Sequence, residues 1–358
     1  MPPRTKPLDI SLFRQNLHTW YALHARRLPW RGIHNPYKTW VSEIMLQQTR
    51  VAAVIEHYHD FLARFPTVLA LAEATESEVL AAWSGLGYYR RARMMHHAAQ
   101  FVVEHLGGIM PTTSTELRKL SGIGDYTCAA IASICYGESI AVVDGNVERV
   151  LLRLTGRPED QSAAGKAFIQ QQAASLVPSQ QVGDGINAAG DHNQAMMELG
   201  ATICLPRGPL CLQCPVYDLC LTRDEHRTAP RGKAKIRPAA YLLETRTRKG
   251  AIEVLLERRP AEVSLMAGMY ELPPLPTDAV TQAKPILRVR HTITDTIYAV
   301  GIFEPGACVG RNDIPASKEM LHWINVNKLG ELPLTGLARK VLRRLQIMPA
   351  RPQPPQPA

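Results

Sequence analysis

No apolar run in these 358 residues is long enough to cross a bilayer, so a membrane-spanning helix is not expected. The opening MPPRTKPLDI is basic but leads into no apolar segment, so no secretory signal is expected either. No internal repeat is present. Cysteine is scarce and odd in number, with seven in the chain. Four of them crowd between Cys204 and Cys220, while Cys128, Cys135 and Cys308 are scattered. An odd, uneven set argues against a disulfide framework and suits a reducing compartment with a metal site. Acidic residues are outnumbered, 32 against 41 basic ones, which leaves a formal charge of +9. That excess favours a polyanionic partner, nucleic acid above all. At 46% hydrophobic residues the chain can bury a full core, and its length suggests two domains.

The first part reads as helical. Asn35-Pro36 is a helix start, with Asn as cap and Pro at the first helical position, followed by Tyr37, Trp40, Val41 and Ile44 at helical spacing. A helix is expected after Gly85-Leu86-Gly87, with Met94, Ala98, Phe101, Val102 and His105 on one stripe. Others are expected from Thr127 to about Tyr136, and along Val147, Val150, Leu151 and Leu154. Residues 222–237 are polar, basic and broken by prolines, and read as a linker. Beyond it the pattern turns to strands, at Ala240 to Glu244, at Ile252 to Glu257 and around Ile297 to Phe303. A last helix is expected from Gly336 to Gln346, then a proline-rich, disordered tail over 347–358. The expected fold class is an all-α N-terminal region and an α+β C-terminal domain.

Three constellations carry chemistry. Cys204-x6-Cys211-x2-Cys214-x5-Cys220 places four soft donors within seventeen residues. On chemistry alone this suits an iron–sulfur cluster or zinc equally. Gly122 and Gly124, in Leu120-Ser121-Gly122-Ile123-Gly124, allow a tight turn before a helix whose free amides could hold an anion, although ordinary turns supply the same pattern. Two carboxylates stand in contrasting settings. Asp144 directly precedes the Val147 helix, where a helix N-terminus favours negative charge; the plainer reading is an N-cap. Glu43 sits among apolar residues that would keep it protonated, or else it faces solvent beside an apolar stripe.

The six-two-five cysteine spacing, directly after a helical region, resembles the [4Fe-4S] loop of the endonuclease III and MutY superfamily of DNA glycosylases. The glycine turn resembles its helix-hairpin-helix, which grips phosphates without reading sequence. Val143-Asp144-Gly145-Asn146-Val147 resembles its catalytic aspartate motif, with Asn146 the matching asparagine. Trp40-Val41-Ser42-Glu43-Ile44-Met45-Leu46-Gln47-Gln48-Thr49 resembles the MutY branch in particular. Leu28-Pro29-Trp30-Arg31, Gly85-Leu86-Gly87-Tyr88-Tyr89 and His192-Asn193-Gln194-Ala195 also resemble segments of the family. The resemblance implies an adenine DNA glycosylase that excises adenine mispaired with 8-oxoguanine or guanine. It implies Glu43 as the acid, Asp144 as stabiliser of the sugar cation, and Tyr126 and Asn146 in support. Tyr126 stands where lyase relatives carry lysine and cannot form a Schiff base, so a monofunctional enzyme is implied. Substrate contacts are implied for Arg31, Gln48, Thr49, Leu86, Tyr88, Gly122, Gly124, Gln194 and Thr294. One [4Fe-4S] cluster on Cys204, Cys211, Cys214 and Cys220 is implied.

The implied division is a helical glycosylase region over 8–221, with a six-helix domain at about 31–142 and an iron–sulfur domain from about 8–30 and 143–221, and a MutT-like domain over 238–346. The glutamate-rich Nudix helix is missing, so no pyrophosphatase activity is expected. Two departures stand out. The loop Leu205 to Leu210 has Arg207 as its only charge, and Ile293-Thr294-Asp295 replaces a Phe-Ser-His segment that reads 8-oxoguanine. The implied partner is double-stranded DNA, with no membrane, for a monomer in the cytoplasm, associated with the nucleoid in a bacterium. The rivals are an endonuclease III-like lyase on oxidised pyrimidines and an inert, DNA-binding iron–sulfur protein.

Overall fold

The computed structural model describes residues 8–179, 187–226, 235–263, 265–293, 295–306, 314–315 and 317–348. Contacts divide the chain into two compact units, residues 1–51 with 101–231 and residues 52–100 with 232–358.

The first unit is helical. Its helices are α1 (Ile10–His24), α2 (Pro36–Leu46), α7 (Ser114–Leu117), α8 (Asp125–Tyr136), α9 (Gly145–Thr155), α10 (Ala163–Leu176) and α11 (Ala188–Thr202). The Asn35 side chain accepts from the Lys38 amide and Pro36 opens α2, as the sequence predicts. Phe13 and Leu17 of α1 are buried against Val150, Leu151 and Leu154 of α9 and Met196 and Leu199 of α11. Close approach of α9 and α11 is set by Gly200: a Cβ there would come within 2.6 Å of the Asn146 Cβ. Between α7 and α8, Gly122 has a φ of +79°, a left-handed turn that favours glycine.

The second unit begins with α3 (Val51–Arg64), α4 (Val68–Glu73) and α5 (Glu76–Trp83), followed by α6 (Arg90–Leu106), which runs on past residue 100. The buried side of α6 is Ala92, Met95, Ala98, Ala99 and Val102. The expected stripe is therefore wrong in part: Phe101 is exposed and stacks on His105, with ring centroids 4.5 Å apart. Two aromatic rings four residues apart meet on a helix surface whether or not that surface is buried.

Eight strands follow: β1 (Lys235–Leu242), β2 (Thr245–Arg248), β3 (Ala251–Arg258), β4 (Tyr270–Glu271), β5 (Pro274–Leu275), β6 (Leu287–Ile293), β7 (Thr296–Phe303) and β8 (Leu321–Asn325). One sheet has the order β5-β1-β7-β6, with β1 and β7 parallel and the rest antiparallel. The other joins β2, β3 and β4, with β8 paired to β3. Helix α12 (Gly336–Arg344) buries Leu337, Val341 and Leu342 against Val289, Val300 and Ile302 of the first sheet. Within this unit Ser84 joins the strand-bearing segment, donating to the Leu334 carbonyl at 2.6 Å and accepting from Arg339 Nε at 2.9 Å. The α+β reading of the C-terminal segment thus holds, and no helix among the described residues is long and apolar enough to cross a membrane.

Candidate active site

One cavity of about 580 Å3 in the helical unit gathers eight of the thirteen residues predicted for catalysis and substrate contact. Glu43, Tyr126, Asp144 and Asn146 line it, as do Arg31, Gln48, Thr49 and Gln194. They come from four helices and the turns beside them, which explains why no single stretch of sequence displays the site.

Glu43 lies on α2, whose residues Thr39 to Met45 are all buried. The glutamate itself is 5% exposed. Its Oε2 accepts from the Tyr126 hydroxyl at 2.5 Å. Loss of water pushes its carboxyl up, the Tyr126 hydrogen bond pulls it down, and nearby Asp144 pushes it up again; the balance is about 7. Glu43 thus keeps a proton through much of the neutral range. Burial, with the charges of Glu43 and Asp144, holds the Tyr126 hydroxyl well above its ordinary range, so it remains a donor.

Asp144 caps α9. Its Oδ1 accepts from the amides of Asn146 at 2.9 Å and Val147 at 2.8 Å, and its Oδ2 accepts from the Asn146 side chain at 2.8 Å. The plain N-cap and the functional reading are therefore compatible. The cap fixes the carboxylate, and the carboxylate faces the cavity. Arg149 extends this network. It donates to Asn146 Oδ1 at 2.8 Å, to the Gly200 carbonyl at 2.6 Å and to the Cys204 carbonyl at 2.7 Å. It ties the aspartate turn to the cysteine segment.

A second buried cluster was not expected. Glu198 on α11 is 1% exposed and accepts from both Arg26 and Arg31, with its Oε2 at 2.7 Å from each. Burial would raise its carboxyl, but the hydrogen bonds from Arg26 and Arg31 outweigh it and bring the carboxyl to about 2. Two guanidinium groups on one carboxylate leave a net positive wall facing the cavity. Arg31 was foreseen from the Leu28-Pro29-Trp30-Arg31 motif, but Arg26 and Glu198 were not. The available signal was Glu198 inside an otherwise apolar Met196-Met197-Glu198-Leu199 run, where an acid needs a partner. Gln48 follows α2 with φ +57°, a left-handed conformation that costs a non-glycine residue about 1 kcal/mol and turns the chain into the cavity rim.

Other predicted residues lie elsewhere. Gly122 and Gly124 form the α7–α8 turn. Gly124 is extended at φ −91°, and a Cβ there would meet nothing within 4 Å, so the protein's own packing does not require glycine. Leu86 and Tyr88 belong to the second unit. Leu86 is buried, while Tyr88 is exposed with φ +47° and carries the Arg91 guanidinium 5.4 Å from its ring centroid. Thr294 lies outside the described residues. Its neighbour Asp295 is exposed at the tip of the β6–β7 hairpin and accepts from the Thr296 hydroxyl at 3.2 Å.

Cys204, Cys211, Cys214 and Cys220 are all free thiols lining one further small cavity. Arg153, 2% exposed, donates to the Cys204 Sγ at 3.3 Å and to the Leu205 and Pro206 carbonyls, so a cation already faces a sulfur. Among the described residues no three Cys, His, Asp or Glu side chains stand close enough for a single metal ion. A cuboidal cluster holds its thiolates farther apart than one tetrahedral ion does, so that spread is no obstacle to it.

Known DNA repair proteins resemble parts of this chain. Residues 41–175 match the family described as HhH-GPD superfamily base excision DNA repair protein. An adenine DNA glycosylase of Homo sapiens is 46% identical over 225 residues, 60% of this chain and 40% of that protein. One from Arabidopsis thaliana is 37% identical over 311 residues, 74% of this chain and 48% of that protein. The chain thus spans about half the length of the curated relatives it matches. A thermostable thymine-DNA glycosylase structure is 27% identical with a TM-score of 0.54, covering 60% of this chain and 96% of that one. An endonuclease III–DNA complex, at 21% identity and a TM-score of 0.50, shares the fold over 61% of this chain and 97% of that one. Over residues 41–175 this chain is thus similar to the HhH-GPD superfamily of base excision DNA repair proteins, and its curated relatives include adenine DNA glycosylases.

Proposed function

We propose that the chain is a monofunctional adenine DNA glycosylase acting on adenine opposite 8-oxoguanine or guanine in duplex DNA. The observation that carries this reading is Glu43: buried, protonated up to about pH 7, and in one cavity with Asp144. Cutting an N-glycosidic bond needs a proton for the leaving base and negative charge beside the sugar cation. The adenine must leave the stack to enter the cavity. Glu43 then gives its proton to N7, and the bonding pair departs with the base. Asp144 stabilises the oxocarbenium ion until water adds at C1′ and releases a proton to solvent, from which Glu43 is protonated again, while Asn146 and Arg149 hold the aspartate in place. Excision should be measured on duplexes with adenine opposite 8-oxoguanine, guanine or cytosine. Release from the first two and not from the third is expected. Release of an oxidised pyrimidine instead would overturn the reading.

Tyr126 has no amine and cannot form a Schiff base, so turnover should proceed without one. Borohydride is expected to trap no covalent complex; efficient trapping would identify a lyase.

The four cysteines fit one [4Fe-4S] cluster, which would cross-link the segment that Arg149 and Arg153 join to α9. Purified protein should be brown and hold about four irons per chain. A colourless protein with one zinc would refute this. Arg149→Gln keeps the helix but loses the charged link to Asn146 and Cys204. It should lower excision about tenfold and stability by about 1–2 kcal/mol, read from the urea midpoint. Unchanged excision would mean that Asn146 holds its place without it.

The α+β part fits a MutT-like reader of the opposing base, with Thr294 as its contact and Asp295 beside it. Asp295 would weaken that contact, because phosphates repel a carboxylate. The net charge of +9 suits duplex DNA as partner. A cytoplasmic, nucleoid-associated monomer goes with this reading.

A further inference from the structure

The second unit holds a cavity of about 540 Å3 that the proposed reaction does not use. Its floor is one face of the β5-β1-β7-β6 sheet. Register pairs Arg288 with Gly301 and Arg290 with Ala299 across β6 and β7, and pairs Gly301 with Ala240 and Ala299 with Pro238 across β7 and β1. Side chains alternate along a strand, so the two arginines share a face with this patch of small residues. Toward β5 that face is covered by Val280 and Phe303. Farther on it lies open, with Ala299, Pro238 and both arginines exposed and Thr277 and Thr281 forming a wall.

The charge is one-sided. No carboxylate lines the cavity, and neither guanidinium makes a hydrogen bond or ion pair among the described residues. Arginines two residues apart on one strand stand about 7 Å apart, a span that one phosphate can bridge. Guanidinium groups bind phosphate through paired N–H donors, and a flat floor without bulky side chains admits a planar ring. The volume lies within the range of small-molecule sites.

We propose that this cavity is a nucleotide site, with a phosphate between Arg288 and Arg290 and the base or sugar on the Pro238–Ala299 floor. The phosphate belongs either to a free nucleotide or to a DNA strand. This assignment does not depend on the glycosylase reading.

Deoxyguanosine 5′-monophosphate and deoxyguanosine should be titrated against the full chain by calorimetry at low salt. In parallel, duplex affinity should be followed against salt concentration. If the ligand is a free nucleotide, the monophosphate binds and the nucleoside does not. Arg288→Gln with Arg290→Gln then weakens binding at least about tenfold and leaves the salt slope alone. If the phosphate belongs to a strand, the monophosphate binds weakly, and the double variant lowers the log–log salt slope of duplex binding by about one to two. Ala299→Met fills the floor without touching charge, and should reproduce the loss of whichever ligand binds. Adenine excision with saturating enzyme is expected to be unchanged in all these variants, so failure of this site and failure of the glycosylase reading are separable. A double variant that matches the parent in nucleotide affinity and in salt slope would overturn the proposal. So would an Ala299→Met variant that binds as tightly as the parent.

Discussion

Glu43→Gln should lower single-turnover excision of adenine by at least about two orders of magnitude while leaving duplex binding nearly intact. The amide matches the carboxyl in shape and still accepts from Tyr126, so the fold around it is kept. What it lacks is the acidic proton. The pH profile makes the same point in the parent protein. Burial brings the Glu43 carboxyl from 4.5 to about 7, so the acid form is present below about pH 7 and is lost above it. The rate should fall with rising pH across that point, and this limb should vanish in the variant. The stability of the parent should fall with rising pH as well. A carboxyl whose value is raised by folding gives a contribution that is full below 4.5 and is lost as pH rises through about 7, about 3 kcal/mol in order of magnitude. Glu43→Gln carries no such loss, so at pH 8 it should melt higher than the parent. An active site that stores an acid in an apolar helix is expected to give up stability for it. A variant with full excision, or one with no gain in melting temperature above pH 7, would mean that the proton is held elsewhere.

Local signals in the sequence located the parts of this site, but not their support. Asn35-Pro36 marks the start of α2 because cap and proline act within one turn, and Glu43 follows inside the helix. Asp144 was legible both as a cap and as a motif, and both readings describe the same atoms. Arg149 follows the Val143–Val147 motif by two residues, but nothing local shows that its guanidinium reaches residues 200 and 204. Glu198 is paired with Arg26, 172 residues away. Long-range pairs of this kind leave only an indirect trace, an acid in an apolar run. The α6 stripe failed for a related reason. Helical period predicts a face, but Phe101 and His105 satisfy it by stacking on each other in solvent. The packing of residues 52–100 with the strand-bearing segment, through Ser84 and Arg339, had no local signal at all.

Asp144→Asn should abolish excision as fully as Glu43→Gln, by at least about two orders of magnitude, yet leave the fold unchanged. Asparagine is as good an N-cap as aspartate, so α9 keeps its start, and the amides of Asn146 and Val147 keep an acceptor. The charge facing the cavity disappears, and with it the partner of the sugar cation and the acceptor that Oδ2 offers the Asn146 side chain. The melting temperature should therefore fall by only a few degrees from the parent. Asp144→Ala separates the two roles: it should lose the same activity and also about 1 kcal/mol of stability, because the cap is gone. The pH profiles should differ as well. Asp144 is among the charges that raise Glu43, so in Asp144→Asn the residual rate should fall off at a lower pH than in the parent. If Asp144→Asn retains most of its activity, the cation is stabilised by another group, and the capped turn serves structure alone. If its rate is lost but its pH limb does not move, Asp144 acts on the sugar without coupling to Glu43, and the shared cavity would hold two independent carboxyl groups.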